Sequence, residues 1–133
     1  MSTYLLDTTV LIAHFRGKEA VSDLLLRLLR QGHTLATSCV NVAEIERGTL
    51  SRERKAVRGT LDRLRYLETS REAAMRAGRY QSEFQRRGVT IHTPDALIAG
   101  TARVHGAIIV TDDTADFPMR DVRCEAPGHV DTR

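Results

Sequence analysis

Acidic side chains recur where apolar segments end. In STYLLDTTVLIAHF, Asp7 stands between two apolar runs and is followed by Thr8 and Thr9. An ionised carboxylate buried there without a partner costs several kcal/mol or more. Asp7 therefore either caps the next element or faces a crevice that holds positive charge. The pattern repeats downstream. LATSCVNVAE delivers Glu44 about one helical turn after an apolar run, HTPD places Asp95 in the first turn of a helix, and IIVTDDTADF puts Asp112, Asp113 and Asp116 behind a β-branched run.

Each acid taken singly has an ordinary structural explanation. Asp95 favours the positive end of its helix, Asp112 and Asp113 suit a turn, and Glu44 pairs with Arg47 one turn on. Together these explanations require a coincidence of position at every segment. Several carboxylates within a few ångströms cannot all stay ionised without neutralisation. A hard divalent cation with oxygen ligands, Mg²⁺ or Mn²⁺, resolves the conflict. Such a site hydrolyses phosphate esters with activated water and needs no side-chain nucleophile.

The elements that must position these acids alternate. YLLD reads as a buried strand and TVLIAHFRG as a short helix stopped by Gly17. EAVSDLLLRLLRQG is amphipathic, with Val21, Leu24, Leu25, Leu28 and Leu29 on one face and Gly32 as its stop. HTLATSCV is a second strand and NVAEIERG a helix. SRERKAVRGTLDRLRYL and SREAAMRAGRYQSEFQRRG read as two longer helices, the latter opened by a capping box from Thr69 to Glu72 and ended by Gly88. VTIH reads as a brief extended piece. TPDALIAGTARVHG is a helix with Thr93 as N-cap, Pro94 at its first position and Gly106 past its end. AIIVTDD is a last strong strand. Alternation of this kind predicts an α/β fold, a mainly parallel central sheet flanked by helices on both faces. Ligands then bind outside the carboxyl ends of the strands, where Asp7 falls.

At 133 residues, with 41% hydrophobic and 28% charged residues, the chain reads as a single domain over residues 1–133 with a real core. No apolar stretch is long enough to span a bilayer, and Asp7 interrupts what a signal peptide would continue, so a cytoplasmic location is expected. Cys39 and Cys124 lack metal-ligand spacing and read as buried free thiols, a disulfide staying open. His14, His33, His92, His105 and His129 form no ligand pair at helical spacing, and only His92 lies close enough to Asp95 to line the crevice. The net charge of +3 is carried almost wholly by arginine, concentrated in the middle third. Those arginines form a solvated helix face, an RNA-phosphate surface or a surface for an acidic partner, and no individual residue is marked for RNA binding. Thr9 stands where a haloacid-dehalogenase-type phosphatase needs its second Asp. Neither Lys18 nor Lys55 suits a receiver domain, and no glycine-rich Lys-Ser/Thr loop serves an NTPase.

The segments YLLDTTVLI, NVAEIERG and TPDALIAGTARVHGAIIVTDDTADF resemble, in order and spacing, the signatures of the PIN domain, specifically the small VapC-type toxins of bacterial toxin–antitoxin pairs. That resemblance implies an Mg²⁺- or Mn²⁺-dependent endoribonuclease acting on RNA, silenced by a cognate VapB-type antitoxin and forming a homodimer. Asp7, Glu44, Asp95 and Asp113 match the family's metal-site acids. Asp116 completes the Thr-x-Asn/Asp-x-x-Asp-Phe pattern led by Thr111, and Thr9 falls where a Ser or Thr steadies the first acid. Asp112 sits at a variable position beside Asp113, so either of the pair is the ligand. PMRDVRCEAPG departs from the strand the family usually shows after Phe117. Two alternatives remain: a PIN-like module that binds RNA or protein without cutting, and a PIN nuclease of RNA processing unconnected to an antitoxin.

Overall fold

The computed structural model describes residues 1–130. Five strands, β1 (Thr3–Leu6), β2 (Thr34–Ser38), β3 (Arg65–Leu67), β4 (Ile108–Val110) and β5 (Cys124–Glu125), form one sheet in the order β3-β2-β1-β4-β5. Every neighbouring pair is parallel. The helices are α1 (Thr8–Phe15), α2 (Glu19–Arg30), α3 (Cys39–Gly48), α4 (Arg54–Asp62), α5 (Arg71–Gln85) and α6 (Thr93–His105). The strand order reverses at β1: the chain runs outward to β2 and β3, then returns to add β4 on β1's other side. Such a switch point opens a crevice at the carboxyl ends of the two central strands.

Alternation within the strands divides the core. Leu5, Ala36 and Ile109 face α5 and α6, with Ala77, Tyr80, Phe84, Ile98 and Ala102 in the same cluster. Their neighbours Tyr4, Leu6, Leu35, Ile108 and Val110 face the other way and pack with Val10 and Leu11 of α1 and Val21, Leu24 and Leu28 of α2. Helices thus cover both faces, as a buried parallel sheet requires. On the α5–α6 face the two helices approach so closely at Gly100 that a Cβ there would fall on the Ala73 carbonyl oxygen.

Several local expectations change. Residues 51–67 are not one helix: a 3₁₀ turn at Ser51–Glu53 leads into α4, and Arg65–Leu67 is an edge strand. Parallel pairing with β2 sets this segment as a strand, with Leu67 buried in the core and Arg65 and Tyr66 exposed at the sheet edge. Ser70, not Thr69, caps α5, its Oγ accepting from Ala73 N at 3.1 Å. Thr69 shares a hydrogen bond with Thr101 at 2.7 Å instead. Thr93 is already helical, with His92 at the N-cap, and accepts from Gln81 Nε2 at 3.0 Å. Gly106 closes α6 with φ 66°, a left-handed cap that glycine adopts at little cost. Residues 89–92 form no strand; Ile91 is buried there. Beyond Phe117 the chain buries Met119 and Val122 and pairs β5 with β4. Both cysteines are free, but neither is buried: Cys39 is exposed and Cys124 half-buried.

Candidate active site

Asp7 follows β1 directly and is the N-cap of α1. Its backbone N–H donates to Val110 O at 2.9 Å, which fixes the end of β1 to the end of β4. Only 7% of the residue is exposed, and its carboxylate is densely partnered. Oδ1 accepts from Thr8 N at 2.9 Å and from Asn41 Nδ2 at 3.4 Å, and Oδ2 accepts from Thr111 Oγ1 at 2.7 Å. Burial raises its pKa, the bonds from Thr111 and Thr8 work against that rise, and the Glu44 and Asp113 carboxylates add to it.

Glu44 arrives from α3, half-buried, and its Oε1 accepts from Thr8 Oγ1 at 2.7 Å. Asp95 lies in the first turn of α6, where Pro94 pre-sets the entry of the helix. Burial pushes its carboxyl up to about 6, helped by the charges of Asp116, Asp7 and Glu44 and opposed by His92. Asp113 and Asp116 are exposed at either end of the turn after β4. Thr111 ties that turn to Asp7, because the hydroxyl that donates to Asp7 also accepts from Asp113 N at 3.0 Å. Of the adjacent pair, Asp113 is the acid whose charge acts on Asp7. Folding therefore draws Asp7, Glu44, Asp95, Asp113 and Asp116 from four segments into one electrostatic neighbourhood.

Thr9 does not do what its position suggested. Its hydroxyl is buried and has no hydrogen-bond partner among the described residues, and Asp7 is steadied by Thr111 and the Thr8 amide. Sequence reasoning also passed over Asn41, which is fully buried and bonded to Ser38, Asp7 and Thr8. Its signal was present: an amide between Val40 and Val42 in the first turn of α3, on the helix that carries Glu44.

All the donors are carboxylate oxygens, which suits a hard cation. Among the described residues, no three His, Cys, Asp or Glu side chains are arranged to hold one ion directly. Mg²⁺ fits this set because it usually keeps several waters and takes only one or two carboxylates directly. Burial is the first cause of the upward shifts of Asp7 and Asp95, and the neighbouring carboxylates add to both.

Fold and site together define an α/β protein with a group of acids gathered at the switch point of a parallel sheet. The PIN domain family matches residues 4–122, and the chain belongs to that family. It is 36% identical over 115 residues to Ribonuclease VapC10 of Mycobacterium tuberculosis, covering 86% of both chains. It is 30% identical over 122 residues to the tRNA(fMet)-specific endonuclease VapC of Shigella flexneri, covering 88% of this chain and 91% of that one. Among solved structures, DNA-bound VapBC from Salmonella typhimurium matches with a TM-score of 0.80 and 27% identity, covering 96% of this chain and 99% of that chain.

Proposed function

We propose that this chain is a VapC-type endoribonuclease toxin that hydrolyses RNA phosphodiesters with a divalent cation, Mg²⁺ or Mn²⁺, at the acidic crevice. The observation that carries the reading is Asp95. A carboxyl in the first turn of a helix is ordinarily acidic, yet this one is pushed up to about 6, with Asp116, Asp7 and Glu44 adding to the effect of burial. The fold maintains a concentration of negative charge on a partly buried carboxyl, which a bound cation would relieve at neutral pH.

Asp7, Glu44, Asp95 and Asp113 are the residues that would hold the ion, one or two of them directly and the others through its waters. When bound, it supplies positive charge to the phosphate oxygens and lowers the pKa of an attacking water. The chain's residues supply the order around it. Thr111 and the Thr8 amide fix both oxygens of Asp7, and the Thr8 hydroxyl fixes Glu44. Asp116, the exposed acid whose charge adds to the rise at Asp95, contributes further negative charge to the site. Incubating the purified protein with RNA and Mn²⁺, with and without EDTA, tests this. Cleavage that needs the ion and disappears in Asp7→Asn and Asp95→Asn supports the proposal; equal cleavage by the variants means a contaminant and removes it.

The partner proposed is a VapB-type antitoxin. Leu11 and His14 of α1, Leu25, Leu26 and Leu29 of α2, and Leu64 after α4 line an apolar depression of about 210 Å³. Leu26 and Leu29 remain 45% and 53% exposed, leaving apolar surface for a partner helix to cover. The resemblance to VapC toxins adds a second copy of the chain as a partner, and light scattering of the purified protein should return a dimer mass.

A further inference from the structure

The fully buried Asn41 sits at the centre of a chain of hydrogen bonds whose donor directions are all determined. The Ser38 hydroxyl lies 2.6 Å from Asn41 Oδ1, an atom that only accepts, so Ser38 donates. That bond turns the amide nitrogen toward the crevice, where Nδ2 donates to Asp7 Oδ1 at 3.4 Å and to Thr8 Oγ1 at 3.1 Å. Having accepted from Asn41, the Thr8 hydroxyl directs its own proton to Glu44 Oε1 at 2.7 Å. One side chain thereby holds two acids from distant segments, Asp7 directly and Glu44 through Thr8. Thr8 also touches both acids, its amide donating to Asp7 Oδ1 and its hydroxyl to Glu44 Oε1. What Asn41 adds is the direction of that hydroxyl and a second donor to Asp7.

We propose that Asn41 is a positioning residue of the carboxylate site, setting the separation of Asp7 and Glu44 before an ion arrives. This rests on the metal-dependent nuclease reading. An amide suits the task better than a charged or purely donating group. It accepts from Ser38 on one side and donates twice on the other, and it adds no further negative charge to a crowded crevice. Residues that orient ligands in this way typically change metal affinity or activity by about 10- to 100-fold when replaced.

The test uses the full chain, with Mn²⁺ as the probe and thermal melting as the readout, beside RNA-cleavage kinetics. In Asn41→Ala, the Mn²⁺ concentration giving half of the melting-temperature rise should increase about 10- to 100-fold. The value of kcat should fall by a similar factor while KM for RNA is unchanged. Thr8→Val, which keeps the branched shape and the Thr8 amide, should shift Mn²⁺ dependence in the same direction and serves if Asn41→Ala does not fold. Because both changes cut one relay, their combined effect should fall short of the product of the single effects. Variants that melt earlier in metal-free buffer but keep the wild-type Mn²⁺ dependence and kcat overturn the positioning role. A wild-type chain that neither responds to Mn²⁺ nor cuts RNA overturns the nuclease reading, and this inference with it.

Discussion

Asp7 and Asp95 are both carboxyls shifted upward by burial and by each other's neighbourhood, yet the fold treats them differently. Asp7 is clamped: its oxygens accept from Thr8, Asn41 and Thr111, which belong to three different parts of the chain. Among the described residues, Asp95 has no hydrogen bond working against its shift, and the His92 charge alone opposes burial and the surrounding acids. The contrast separates two ways of keeping an acid at a functional rim. One offsets desolvation with directed donors, which fixes geometry at modest electrostatic cost. The other leaves the cost standing until a cation arrives, which makes the acid responsive to ion and pH.

The largest expected effect falls on both halves alike. Asp7→Asn and Asp95→Asn should each reduce RNA cleavage by about 10²-fold or more, because each removes charge placed for the transition state; a gel-based cleavage assay reads this. Next is a change that should respect neither half. Gly100→Ala drives a Cβ into the Ala73 carbonyl oxygen at the α5–α6 contact. Overpacking of this kind should cost about 1–3 kcal/mol in urea unfolding.

The halves should part in metal-free stability. Asp95 in the folded chain titrates at about 6, whereas an unfolded Asp titrates near 3.9. The folded chain therefore binds more protons across that window, and stability falls as pH rises through it. Asp95→Asn should raise the melting temperature at about pH 8 in EDTA and lose that gain at about pH 4. Asp7→Asn should gain less, since it also exchanges a carboxylate acceptor that Thr8, Thr111 and Asn41 all use. Equal gains would mean that the clamp around Asp7 is energetically idle. The smallest effect concerns Cys124, whose thiol burial pushes up to about 11 with the Asp7 and Glu125 charges adding. Removing the Asp7 charge should make Cys124 alkylate slightly faster at a given pH, while exposed Cys39 keeps its rate.

The same contrast explains what was legible in the sequence. Strand-ending acids announce themselves because a charge behind an apolar run is locally conspicuous, so Asp7, Asp95 and Asp113 could be nominated from the chain alone. The parallel sheet was legible for a similar reason, in alternating apolar segments separated by glycine stops. What holds each acid was not legible, because it depends on register. Thr8 and Thr111 rather than Thr9 steady Asp7, Thr111 from 104 positions away, and Thr8 also reaches Glu44. Asn41 escaped notice because a buried amide in a helix has no periodic signature. Arg65–Leu67 was read as helix because a strand of three residues is too short to display its period against an adjoining helical run. Its pairing with β2, a tertiary contact, decided the outcome.

Crystals soaked in Mn²⁺ and measured near the manganese absorption edge test the central claim most directly. An anomalous peak lying between Asp7, Glu44, Asp95 and Asp113, completed by water ligands, is the predicted result. Manganese bound only elsewhere, with those four carboxylates left unliganded at saturating ion, would contradict the account.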